Sequence, residues 1–202
     1  MVRLRIVVSM LGMLAAGLTM SFVTAAAQAP DPAGIGFDGT AQIGNDRRSV
    51  RFRFFCSSNR GSRGFLSIEL EVPRYEQLLS TFDFGAFEGS AARPAAMTRL
   101  QAIAADAKTE DNFSATGTIL ASGIALASSA AFLFDVNPAR RDSPPSRKLA
   151  AVLRPLESGP GTVIWRQASP KTDGSPINAT LELTRPEVDQ MKVTLRQCFP
   201  GR

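Results

Sequence analysis

Apolar and polar positions divide the chain into one leading apolar block and a series of short, turn-bounded segments. Ile6 to Val23 is apolar apart from small and hydroxyl side chains, follows Arg3 and Arg5, and ends at Ala25-Ala26-Ala27. A basic start, an apolar core shorter than the ~20 residues of a spanning helix and a small-x-small site predict a signal peptide over 1–27. Cleavage is expected between Ala27 and Gln28, the competing reading being an uncleaved anchor. Residues 28–202 then form a single secreted domain. Its first stretch, 28–40, with Pro30, Pro32, Gly34, Gly36 and Gly39, reads as a flexible lead-in.

From Val50 the period becomes two. Val50, Phe52, Phe54 and Cys56 alternate with Arg51, Arg53 and Phe55; after a turn composition at 57–64, Leu66, Ile68, Leu70 and Val72 alternate with Ser67, Glu69 and Glu71. This predicts an antiparallel hairpin with one face inward. Pro73 opens a helical spacing at Tyr75, Leu78, Leu79 and Phe82, and Met97, Leu100, Ile103 and Ala107 predict a helix over 94–108. The run from Phe113 to Leu133 holds 21 uncharged residues, long enough for a spanning helix. Its Ala, Ser, Gly and Thr content favours two core strands joined around Ser122 and Gly123, and spanning would separate the two cysteines.

Residues 137–146 read as a solvated loop. Leu149, Val152, Leu153 and Leu156 predict a short amphipathic helix that Pro155 must strain or end, and 162–166 and 177–183 read as strands. Thr184-Arg185-Pro186-Glu187 matches a capping box, with Leu183 and Val188 placed as its hydrophobic staple. Val188, Met191, Leu195 and Cys198 follow on one face of a closing helix. The fold class is therefore α+β: an antiparallel sheet with a few packed helices in a single domain, ending in a C-terminal amphipathic helix.

Composition narrows the chemistry. Without 1–27 the net charge falls from +5 to +3, only mildly basic. Export and an even cysteine count predict a disulfide between Cys56 and Cys198, tying the first strand of the domain to its last helix. A catalytic cysteine would need a base, and the chain has no histidine. That absence removes Ser-His-Asp and Cys-His catalysis and every histidine-based metal site. Carboxylate, Lys, Tyr or Ser-Lys chemistry is left, with no metal site, no cofactor and no assignable catalytic residue.

Six arginines, Arg47, Arg48, Arg51, Arg53, Arg60 and Arg63, are interleaved with Phe52, Phe54 and Phe55. Guanidinium forks pair with phosphate and carboxylate, so these six are the candidate binding residues. For an exported chain the partner is an anionic envelope component or a protein, and not nucleic acid. Alternatively Arg51 and Arg53 are a solvated strand face paired with Glu69 and Glu71. The loop 82–89 gathers Phe82, Phe84 and Phe87 with Asp83 and Glu88; two carboxylates suit a hydrolase, whereas aromatics folding back on the core need no chemistry. Asn112-Phe113-Ser114 and Asn178-Ala179-Thr180 match the N-glycosylation pattern, which is silent in a bacterial source. A ratio of 19 Arg to 4 Lys in an Ala-rich chain suggests such a source.

Phe134-Asp135, Leu149 to Gly159, Thr162 to Trp165 and Val188 to Leu195 form a succession that resembles the tail of secreted proteobacterial proteins of the invasion-associated locus B type. The likeness covers about a third of the chain by pattern; the chain has no additional cysteine pair, and the Gly-Phe step associated with that family is missing from this stretch. It implies a periplasmic or surface binding role and carries over no catalytic residue. The function expected is thus a non-catalytic binding or envelope-associated one in the periplasm or outside the cell. The alternatives are a carboxylate-dependent hydrolase, or an inhibitor or assembly partner docking through the Arg-rich hairpin.

Overall fold

The computed structural model describes residues 33–57, 65–88, 97–105, 107–120, 130–136, 144–195 and 198. The predicted signal peptide, Arg60, Arg63 and the expected joint at Ser122 and Gly123 lie outside them. Nine strands are present among the described residues: β1 (Ala33–Ile43), β2 (Asp46–Ser57), β3 (Phe65–Pro73), β4 (Thr98–Ala104), β5 (Ala107–Phe113), β6 (Thr116–Leu120), β7 (Ala131–Val136), β8 (Gly161–Gln167) and β9 (Ile177–Leu183). Two helices, α1 (Pro144–Leu153) and α2 (Arg185–Leu195), complete the fold, which is dominated by sheet.

All strands join one antiparallel sheet in the order β5-β4-β8-β9-β1-β2-β3-β7-β6. Its two edge strands, β5 and β6, are consecutive in the chain and separated only by Ser114 and Ala115. Three Cα steps span at most ~11 Å. The sheet must therefore curl until its first and last strands meet at one end. The inward positions of β2, β3 and β7 follow the predicted alternation, burying Phe52, Phe54, Ile68, Leu70, Phe132 and Phe134 completely. Helix α1 touches β5 and β4 and also β3, strands far apart in the sheet order, so it lies across the opening of the curl. Helix α2 closes the same core against β1 and β2.

The β2–β3 hairpin forms as expected, with Arg53 opposite Glu69 and Arg51 opposite Glu71. Residues 113–134 supply two strands: β6 and β7 pair antiparallel, and no helix among the described residues is long and apolar enough to cross a membrane. Pro155 ends α1 as predicted, in a single 3-10 turn, Arg154–Glu157.

Three expectations need correction. From Ala33 onward the supposed lead-in is β1, a strand in the middle of the sheet. Its glycines lie beneath large neighbours: a Cβ on Gly34 would meet the Phe55 ring at 2.5 Å, and one on Gly39 would meet the Thr180 carbonyl at 2.6 Å. Absent side chains there make room for close packing and do not loosen the chain. The helix expected over 94–108 is the β4–β5 hairpin, turning near Ala105 at φ 47°. Thr98, Leu100, Ala102 and Ala104 alternate inward, and pairing with β8 outweighs the helix preference of the alanines. The helical spacing after Pro73 gives only one 3-10 turn, Tyr75–Leu78, which leaves Leu79 half exposed.

The disulfide between Cys56 and Cys198 is present, with Cα atoms 5.8 Å apart. It joins the second strand, not the first, to the chain just beyond α2. At the start of α2 the Glu187 carboxylate accepts hydrogen bonds from the Thr184 N–H (2.8 Å) and hydroxyl (2.6 Å). The glutamate half of the capping box therefore forms, and Leu183 and Val188 on either side are both buried.

Candidate functional site

Strand β2 sorts its arginines by parity. Arg47, Arg51 and Arg53 point outward with Ser49 and Phe55, whereas Arg48 points inward in line with Val50, Phe52, Phe54 and Cys56 and is buried. Its guanidinium donates to the carbonyls of Pro73 (2.8 Å) and Arg74 (3.0 Å) and pairs with Asp46. Arg48 therefore ties the start of β2 to the end of β3 and presents no free charge to a ligand. Arg51 pairs with Asp38 of β1 at 3.2 Å, both largely exposed, and Arg53 reaches Glu69 at 3.5 Å while lying over the Phe55 ring. Among the described arginines of the predicted set, only Arg47 is exposed and without an ion pair. The hairpin does not bring its arginines together as one open patch.

The same outer face holds a polar group that the sequence did not single out. Glu69 on β3 stands opposite Asp135 on β7, and the Ser67 hydroxyl donates to Asp135 Oδ1 at 2.6 Å. Glu69 Oε2 is shielded from water and accepts no hydrogen bond among the described residues. Desolvation, the largest influence, pushes its carboxyl up to about 7; Arg53 opposes this, while Asp135 and Glu71 add to it. The only signal for the pair was the alternation that puts Glu69 outward on β3, and the partner strand β7 was not predictable from it.

The carboxylates of the 82–89 loop do not form a comparable pair. Phe82, Phe84 and Phe87 are buried and interlock with Phe132 and Phe134 at ring distances of 4.8 to 5.9 Å. Asp83 faces solvent and Glu88 bridges to Gly117 on the edge of β6. The aromatics fold back on the core. Asn112 and Asn178 of the two glycosylation patterns are both exposed, on β5 and β9.

A cleft of about 410 Å³ opens beside the β1–β2 turn, with Asp46, Gln77, Thr81 and Ser175 around Ile43 and Leu78. Its far wall is held by the Ser175 N–H on the Thr81 carbonyl and by Lys171 Nζ on the carbonyls of Leu79 and Ser80. Among the described residues no group of three acidic, cysteine or histidine side chains is arranged to hold a metal ion. Comparison with protein-family models, curated proteins and solved structures finds no match to this chain.

Proposed function

We propose that the protein is exported and acts as a non-catalytic binding protein, meeting an anionic envelope component through the outer face of its sheet. One observation carries this reading: the interior is filled by apolar side chains, and the basic residues of the sheet, Arg48 apart, stand on the outside. The leading basic-apolar-small segment and the disulfide support export. The likeness of the last third to proteins of the invasion-associated locus B type implies the same kind of role. Retention of the purified protein on heparin, measured against rising salt, tests it. Binding by exposed arginines should weaken as ionic strength rises, because charges are screened over ~8 Å at 0.15 M. Passage through the column at low salt would overturn the proposal.

The Glu69–Asp135 pair favours a second reading, a carboxylate-dependent hydrolase, since a carboxyl raised to about 7 can give or take a proton near neutrality. Hydrolysis of a panel of glycosides and esters by the wild type, lost in Glu69→Gln, would establish it. Equal inactivity of both proteins would remove it.

A further inference from the structure

Register across the sheet assembles a set of residues that are scattered in the chain. Asn112 on β5 is opposite Arg99 on β4, Arg99 opposite Arg166 on β8, Arg166 opposite Asn178 on β9, Asn178 opposite Gln42 on β1, and Gln42 opposite Arg47 on β2. All six are exposed. They form one continuous row, Asn-Arg-Arg-Asn-Gln-Arg, perpendicular to the strands. At ~4.8 Å between strands the row runs ~24 Å around the outside of the curl.

Four of the six, Asn112, Arg166, Asn178 and Arg47, have no evident role in holding the fold. Arg99 and Arg166 are like charges directly opposite each other, an arrangement that costs stability in a sheet. Glu110 pairs with Arg99 and offsets part of this. Arg166 and Arg47 make no ion pair, and the Asn112 and Asn178 side chains make no hydrogen bond, among the described residues. The Gln42 amide is tied to the Gly44 carbonyl at 2.7 Å.

The neighbouring rows define what could lie there. Two residues along the strands the positions are Glu110, Gln101, Ile164, Thr180, Thr40 and Ser49, the last three being small hydroxyl side chains. Two further on stand Lys108, Ile103, Thr162, Glu182, Asp38 and Arg51, the last two paired with each other. The unpaired positive charge of Arg166 and Arg47 thus lies within one row, with the Glu110 carboxylate about 7 Å along at its β5 end and Glu182 and Asp38 about 13 Å along at β9 and β1. A membrane would press a broad anionic surface against those carboxylates as well. A narrow chain would not. The row also combines three guanidinium forks, which pair with anionic groups, with three carboxamides, which both donate to and accept from hydroxyls.

We infer that the row Asn112, Arg99, Arg166, Asn178, Gln42 and Arg47 is a binding track for a linear acidic polysaccharide, the arginines taking its carboxylate or sulfate groups and the amides its hydroxyls. This rests on the proposed anionic ligand and names both its class and its place, which is centred on β4 and β8 and not on the β2–β3 hairpin.

The test compares Arg99→Ser/Arg166→Ser with the hairpin variant Arg51→Ser/Arg53→Ser, using heparin and alginate by calorimetry, neutral dextran as a control, and vesicles rich in anionic lipid. The track requires an affinity loss of about tenfold or more for the first pair, little change for the second, and no binding to dextran. Thermal melting of each variant checks the fold; if the double variant melts early, Arg166→Glu alone replaces it and should weaken binding further. Loss confined to Arg51→Ser/Arg53→Ser would overturn the track while leaving an anionic ligand in place. Tighter binding to vesicles than to either polysaccharide, lost in the same variants, would overturn the polysaccharide in favour of a membrane. No binding of the wild type to any of these probes would overturn the track and the underlying function together.

Discussion

At the scale of single residues, parity decides what each charge does. Arg47 and Arg48 are neighbours, yet one is exposed and the other is buried beneath two backbone carbonyls and Asp46. Arg48→Ser should therefore cost roughly 2–3 kcal/mol, since charge-assisted hydrogen bonds to the part-buried carbonyls of Pro73 and Arg74 and the pair with Asp46 are lost. Arg47→Ser should be near neutral; urea unfolding of both variants checks the contrast. Glu69 gives a pH signature of its own. Its carboxyl titrates at about 7 in the folded protein, above the ordinary value of 4.5, because burial disfavours the anion. Between those two values the folded state holds the proton more tightly, so this group's contribution to stability falls as pH rises from 4.5 to 7. Glu69→Gln should remove that slope and melt higher than the wild type above pH 7, while the two converge near pH 4. Thermal melts at intervals across this range would show it. The alternation of β2 and β3 made Glu69 legible as an outward residue facing Arg53, but its other neighbour, Asp135 on β7, is named by no local pattern.

At the scale of elements, short-range signals that agreed with the register were legible. The β2–β3 hairpin, the strand pair within 113–134, α1 with its proline end and the capped α2 all carry such signals. β1 and β4 do not, because Gly39, Ala41, Ala102 and Ala104 dilute the larger inward side chains, and the value of such small residues lies in the neighbours they admit. Gly161 at the start of β8 illustrates this: a Cβ there would lie 2.3 Å from the Ile103 carbonyl and 2.7 Å from the Leu156 side chain. Gly161→Ala should cost about 1–3 kcal/mol, as overpacking against backbone does. Gly36 in β1 meets only the guanidinium of Arg51, a flexible chain end with a solvent-exposed ion pair. Gly36→Ala should be neutral or slightly stabilising. Differential melting of the two alanine variants measures the difference. The Arg–amide row was equally invisible beforehand, since its six members are brought into line only by pairings between β4, β8, β9 and β1.

At the scale of the whole molecule, the disulfide spans 142 residues and fastens the end of the chain to β2. On the chain-entropy model a loop of that length contributes about 5 kcal/mol, and loss of a native bond in small secreted domains costs about 2–5 kcal/mol. Reduction, or Cys56→Ser, should lower stability by that order, and intact-mass analysis after alkylation without reductant should find no modified thiol. The cysteine count made this bond legible, but the curl of the sheet was not, because closure depends on where β8 and β9 insert. That curl has a further result. A flat nine-stranded sheet would offer two borders of unpaired N–H and C=O groups on which a foreign strand could grow into a fibre. Here Ser114 and Ala115 bring the two borders together at one end, Glu88 occupies part of the β6 border, and α1 rests on β5. Resistance to self-assembly is thus written into the shortness of one link, and each residue inserted there would let the borders part and turn a guarded seam into a growing edge.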